Sequence, residues 1–233
     1  MVHAHDGPRG LPQFPLYTIV YFSDDKGASW QRTTQPLQAN MTHDLVGGEH
    51  GFWETALVEL STPGHLLMLG RTCSGWLAES RSTDFGTTWT VPTHDKQLPH
   101  PLAPPNLARL PGGALLLLTE PHLLPEAGGL LGTRYVLAAQ VSHDEGRTWE
   151  GYRELQYTGA AHTQDYASIF VDGQTVHITH CKPEVVSRRP PLLYPLHGVL
   201  AADRINCTSQ CNNQGSRFAQ YIKLPASFFL SDQ

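Results

Sequence analysis

A chain of 233 residues can bury a substantial core, as one large all-β domain or two smaller ones. Its formal net charge of −5, with no dense cluster of Lys or Arg, argues against nucleic acid as the main partner, because phosphate binding needs concentrated positive surface. No apolar run approaches the roughly 18 residues of a membrane span, and 21 Gly and 18 Pro break the apolar residues into short runs, as in many strands joined by turns.

From the N-terminus, Met1-Val2-His3-Ala4-His5-Asp6 has no basic segment leading into an apolar core, so no secretory signal is visible and the compartment stays unknown. Residues 1–16 read as an extension. Three segments then share the pattern Ser-x-Asp-x-Gly-x-(Ser/Thr)-Trp: Ser23 to Trp30, Ser82 to Trp89 and Ser142 to Trp149. Their first residues are separated by 82 − 23 = 59 and 142 − 82 = 60 positions, a fixed period that marks a repeat architecture. Each reads as a hairpin turn in which the Asp carboxylate accepts backbone N–H bonds, the Gly supplies positive φ and the Trp covers the apolar side.

A second hairpin accompanies each period, as strand, tight turn and strand: Val58 to Leu69, Ala108 to Leu118 and Ser168 to Ile178. Two hairpins make about four strands per repeat, the size of one propeller blade. Beyond His180 the pattern stops, and Ser187-Arg188-Arg189-Pro190-Pro191-Leu192-Leu193-Tyr194-Pro195 reads as an extended linker. The expected division is therefore 17–181 as blades and 182–233 as linker or poorly ordered tail, whose end at Tyr221 to Leu230 is either an edge strand or an unrelated tail.

These boxes resemble those of the Asp-box, or BNR-repeat, sialidase superfamily, and the likeness runs from about Tyr17 to His180. It implies an all-β fold, a sialidase-like β-propeller present in part. Sialidases of that family have six blades and this chain holds material for about three to four, so the expectation is that N-terminal blades are missing or that a second copy completes the ring in trans. The boxes themselves are structural and occur in proteins of other function.

The resemblance also implies a half-site. Glu54 stands in Glu54-Thr55-Ala56-Leu57-Val58-Glu59-Leu60, Arg71 ends Met68-Leu69-Gly70-Arg71, Arg134 opens the strand before the third box, and Tyr166 lies in Asp165-Tyr166-Ala167-Ser168-Ile169. Sialic acid carries a carboxylate on its anomeric carbon, which would repel an anionic nucleophile, and sialidases use a tyrosine instead. A phenol, with an ordinary pKa near 10, needs a neighbouring base, the role implied for Glu54 beside Tyr166. Arg71 and Arg134 would bind the substrate carboxylate through forked hydrogen bonds that Lys cannot reproduce. Asn106, in a loop similar to one that borders the family's pocket, would bind a sugar hydroxyl.

Each residue also has a structural reading: Glu54 and Arg71 as charged strand ends, Arg134 as one surface arginine among several, Tyr166 as a strand aromatic, and Asn106 as a turn residue. The family's first arginine and its acid/base Asp have no matching segment in this chain, and general acid catalysis is typically worth 10²–10⁴-fold.

The leading expectation is an exo-sialidase-like, retaining glycosidase whose partner is a sialylated or other acidic glycan. The alternative is a non-catalytic propeller that binds glycans or proteins. Among thirteen His no ligand spacing stands out, so neither metal nor cofactor is expected. Cys73, Cys181, Cys207 and Cys211 read as free thiols, Asn206-Cys207-Thr208 as a chance sequon, and Gly128 to Gly132 as a loop without the Lys of a phosphate cradle.

Overall fold

The computed structural model describes residues 2–4, 14–39, 49–72, 74–100, 103–121, 134, 136–157, 165–183, 205–206 and 217–230. Cys73, Cys207, Cys211, the 128–132 loop and the 187–195 segment lie outside the described residues. Two units divide the chain, one carrying the described residues up to Leu107 and the other those from Ala108 onward.

In the first unit, β1 (Val2–Ala4), β2 (Phe14–Ile19) and β5 (Glu49–Gly51) form a three-stranded sheet, so parts of the N-terminal segment are strand. Between them β3 (Tyr21–Phe22) and β4 (Gln31–Arg32) pair across the first box. The unit's main sheet runs in sequence order through β6 (Trp53–Glu59), β7 (Leu66–Arg71), β8 (Trp76–Ser82) and β9 (Thr93–Pro99). Val20, Leu37, Ala39, Phe52, Met68 and Ala78 form a core of this unit, with Trp89 packed against it.

The four-strand meander recurs with β10 (Asn106–Arg109), whose first two residues belong to the first unit, and with β11 (Leu115–Thr119), β12 (Val136–Ser142) and β13 (Glu150–Tyr157) of the second. Its other sheet contains β14 (Asp165–Asp172), β15 (Thr175–Pro183), β16 (Ile205–Asn206) and β17 (Arg217–Pro225), in the spatial order β14-β15-β17-β16. Residues 217–225 therefore form an inner strand of this sheet, antiparallel to β15 along its whole length. The helix α1 (Ser227–Leu230) follows and buries Phe229. Ile222, Leu224, Ala226 and Phe229 join Leu116, Leu118, Leu137, Val176 and Ile178 in one apolar core.

The three boxes join the third and fourth strands of their sheets or, in the first box, the β3–β4 hairpin. In the second, one Asp84 carboxylate oxygen accepts the Thr88 N–H at 2.9 Å and the Ser82 hydroxyl at 2.8 Å, and the other accepts the Thr88 hydroxyl at 2.5 Å. The same set serves Asp25 and Asp144. Hydrogen bonds from Ser29 and Thr148, then from Ser23 and Ser142, hold the Asp25 and Asp144 carboxyls down at about 2, and Asp84 is lowered by the equivalent bonds. The Gly of each box has positive φ, and so does the residue before it, at 60°, 59° and 65° for Lys26, Phe85 and Glu145.

The tryptophans differ among themselves. Trp149 is buried, Trp89 half-buried, and Trp30 is 62% exposed. The first box closes a hairpin with only two residues in each strand, which presents little apolar surface for its Trp to cover.

Candidate active site

In the first unit the site residues grow out of the β6–β7 hairpin. Trp53 pairs with Arg71 and Ala56 with Leu69, so three steps along β6 match two along β7, and the extra residue makes a β-bulge. Glu54 lies in that bulge at φ 46°, a left-handed conformation that costs a residue with a Cβ about 1–2 kcal/mol. The bulge turns the Glu54 carboxylate toward Arg71, whose Nη1 donates to Glu54 Oε2 at 2.5 Å. Arg71 also lies 5.0 Å over the ring of buried Trp53, so the guanidinium rests on an aromatic face and a carboxylate at once.

The strand under Arg71 is fixed by sequence in two places. A Cβ at residue 70 would stand 2.4 Å from Phe52 Cε2 and 2.7 Å from Thr55 Cγ2, so Gly70 is what lets the buried Phe52 ring pack there. The following turn is tied by the Thr72 hydroxyl, which donates to the Trp76 carbonyl at 2.6 Å.

In the second unit the β14–β15 hairpin carries the same device. Asp165 pairs with Cys181 and Ser168 with Thr179, again three steps against two, and Tyr166 occupies the position that Glu54 has in its bulge. Its φ is 50°, and the residue is 57% exposed. The Arg134 guanidinium stands 5.9 Å over the Tyr166 ring and makes an ion pair through Nε to Glu120 Oε2 at 3.8 Å. Asn106 opens β10, half-buried.

Five residues other than Gly have positive φ among those described. Three are the repeated box positions, and the other two are Glu54 and Tyr166. Strain retained at a repeated turn has a structural cause in the turn. Strain retained at single residues with acid–base chemistry, each in a bulge that re-aims its side chain, is the pattern of functional positions.

The four expected residues thus fall into two pairs, Glu54 with Arg71 in the first unit and Tyr166 with Arg134 in the second. Glu120 escaped the sequence reading. It follows Leu115-Leu116-Leu117-Leu118-Thr119 and is 2% exposed, an acid buried at the end of an apolar strand. Register gave the available signal. The Leu60–His65 and Leu110–Ala114 backbone hydrogen bonds align the two hairpins, and counting on from them sets Glu120 at the position of Arg71.

Among the described residues no group of three or more His, Cys, Asp or Glu could hold a metal ion, and no helix is long and apolar enough to cross a membrane.

The family model of the BNR repeat-like domain matches residues 9–178. No curated protein matches the chain. Among solved structures, the K499G mutant of the NanB sialidase from Streptococcus pneumoniae aligns at TM-score 0.58 and 16% identity, over 91% of this chain and 28% of that one. NanB in complex with 2-[(3-chlorobenzyl)ammonio]ethanesulfonate aligns at 0.59 and 16% identity, over 91% and 28%. A leech intramolecular trans-sialidase aligns at 0.46 and 18% identity, over 71% and 24%. The chain thus spans about 28% of the length of the NanB chains. At this identity the likeness is one of fold: all-β, and a part of a sialidase-like β-propeller.

Proposed function

The chain belongs to the family of the BNR repeat-like domain, and on that premise we propose that it is a sialidase-like retaining glycosidase acting on terminal sialic acids of glycoconjugates. The observation that carries the reading is the pair of left-handed bulge residues, Glu54 at φ 46° and Tyr166 at φ 50°, each with an arginine against it or its ring. In this reading the Tyr166 oxygen attacks the anomeric carbon and Glu54 takes its proton. The bond to the aglycone breaks with its electron pair on the leaving oxygen, and water later cleaves the glycosyl–tyrosine bond with retention. Arg71 and Arg134 bind the substrate carboxylate, and Asn106 a sugar hydroxyl.

The leaving oxygen needs a proton unless it is a good leaving group, and no segment of this chain matches the family's acid/base Asp. An aryl sialoside, whose phenolate leaves with little acid assistance, is therefore the informative substrate. The full chain should hydrolyse it, hydrolyse 3′-sialyllactose roughly 10²–10⁴-fold more slowly, and lose aryl sialoside hydrolysis on Tyr166→Phe. Equal rates for Tyr166→Phe and the unaltered chain refute the nucleophile. The missing acid motif favours a second reading, a glycan-binding propeller without turnover, and sialyllactose binding that survives Tyr166→Phe and is lost on Arg71→Ala, in a chain without hydrolysis, supports it.

A further inference from the structure

Arg71 and Arg134 are mounted alike but with the roles exchanged. Each guanidinium lies over one aromatic ring and against one carboxylate: Trp53 and Glu54 for Arg71, Tyr166 and Glu120 for Arg134. In the first unit the ring is buried and the carboxylate is the proposed base. In the second the ring is the proposed nucleophile, and the carboxylate is the buried partner.

Glu120 has no place in the proposed chemistry, yet its burial needs a reason. Its side chain is 3% exposed at the end of β11, where all five preceding residues are buried. An ionised carboxylate in that setting is costly unless a cation faces it, and the Arg134 side chain, itself 13% exposed, brings one to 3.8 Å. The approach is through Nε, at the inner edge of the guanidinium, and at 3.8 Å it is an ion pair longer than a hydrogen bond. That constrains the last torsions of a long side chain, which would otherwise sample many rotamers.

We propose that Glu120 is a positioning residue: it fixes the Arg134 guanidinium over the Tyr166 ring, in the orientation that receives the substrate carboxylate. Glu120 acts through Arg134. For the substrate the proposal rests on the sialidase reading; for the fixed arginine it rests only on the pair itself.

The test has two arms, both with the full chain. In ligand-free ¹⁵N-labelled protein, the Arg134 Nε–H resonance, assigned by its absence in Arg134→Lys, should be resolved and slow to exchange, averaged in Glu120→Gln, and restored in Glu120→Asp. With an aryl sialoside, Glu120→Gln should raise KM about tenfold and leave kcat within about twofold, since a misplaced binding group weakens ground and transition states together. A rise in KM accompanied by a fall in kcat and in the thermal melt marks a global loss of packing and counts against a positioning role.

An Arg134 signal that exchanges as fast in the unaltered protein as in Glu120→Gln overturns the proposal, and so does an unchanged KM. A chain inert towards the sialoside refutes the sialidase reading and with it the substrate role, while the resonance still decides whether Glu120 fixes Arg134.

Discussion

Replacing Tyr166 first by Ala and then by Gly separates the backbone strain at this residue from everything its ring contributes. Both variants lose the ring and its stacking under Arg134, so those losses cancel in the comparison. What remains is a single Cβ held at φ 50°. In the left-handed region that atom costs roughly 1–2 kcal/mol, whereas in an ordinary strand Gly is worse than Ala by roughly 0.5–1 kcal/mol through its entropy. At residue 166 the strain should outweigh the entropy, leaving Gly more stable than Ala by about 0.5–1 kcal/mol.

Ser168 supplies the control, exposed on the same strand and paired with Thr179 beyond the bulge. There the order should reverse, with Ala the more stable. The two sites should thus differ by about 1–2 kcal/mol in the sign-bearing quantity, which urea unfolding with a shared m value resolves. If Ala exceeds Gly at 166 by as much as at 168, the strained conformation is absent and the argument from strain to function fails with it. Both residue-166 variants should lack hydrolysis whatever their stability, as expected where strain is kept for the group it aims.

Acid should weaken the fold through the boxes. The Asp25 and Asp144 carboxyls sit near 2 in the folded chain against an ordinary 3.8, so their contribution is complete above about pH 4 and is lost as pH falls towards 2. Asp144→Asn should therefore flatten the fall of Tm between pH 4 and 2, and an unchanged slope counts against the assignment. Trp149→Ala removes a 9% exposed side chain and should cost about 3–5 kcal/mol, while Trp30→Ala, at 62% exposure, should cost under about 1 kcal/mol by chemical denaturation. Gly70→Ala sets a methyl 2.4 Å from the Phe52 ring and should lower stability by about 1–3 kcal/mol, and a neutral effect would mean that the ring yields there.

The boxes were legible because their cause is local: one Ser, one Asp and one Gly within five residues satisfy one another's hydrogen bonds, so the pattern in sequence is the pattern in space. The left-handed residue before each Gly was not legible. Lys26, Phe85 and Glu145 have no chemistry in common, because the conformation is imposed by the Asp beside them. The inner strand β17 was half legible. Ile222, Leu224 and Ala226 are buried while Lys223 and Pro225 are exposed, a period of two present in the sequence, but residues 184–216 separate the strand from its partner β15. Closing so long a loop costs little more than closing a short one, so the strand's alternating apolar face could repay it against Val176 and Ile178.

Glu120 was hidden for the opposite reason. An acid after four leucines and a threonine reads as the solvated end of a strand, and only the register between hairpins reveals that the same step of the neighbouring repeat holds a buried arginine. A repeated scaffold sets equivalent positions at equivalent depths but leaves their charge open. Here one copy of that position carries the guanidinium and another the carboxylate, so on the proposed reading the repeat supplies both the group that binds an anion and the group that holds such a binder in place.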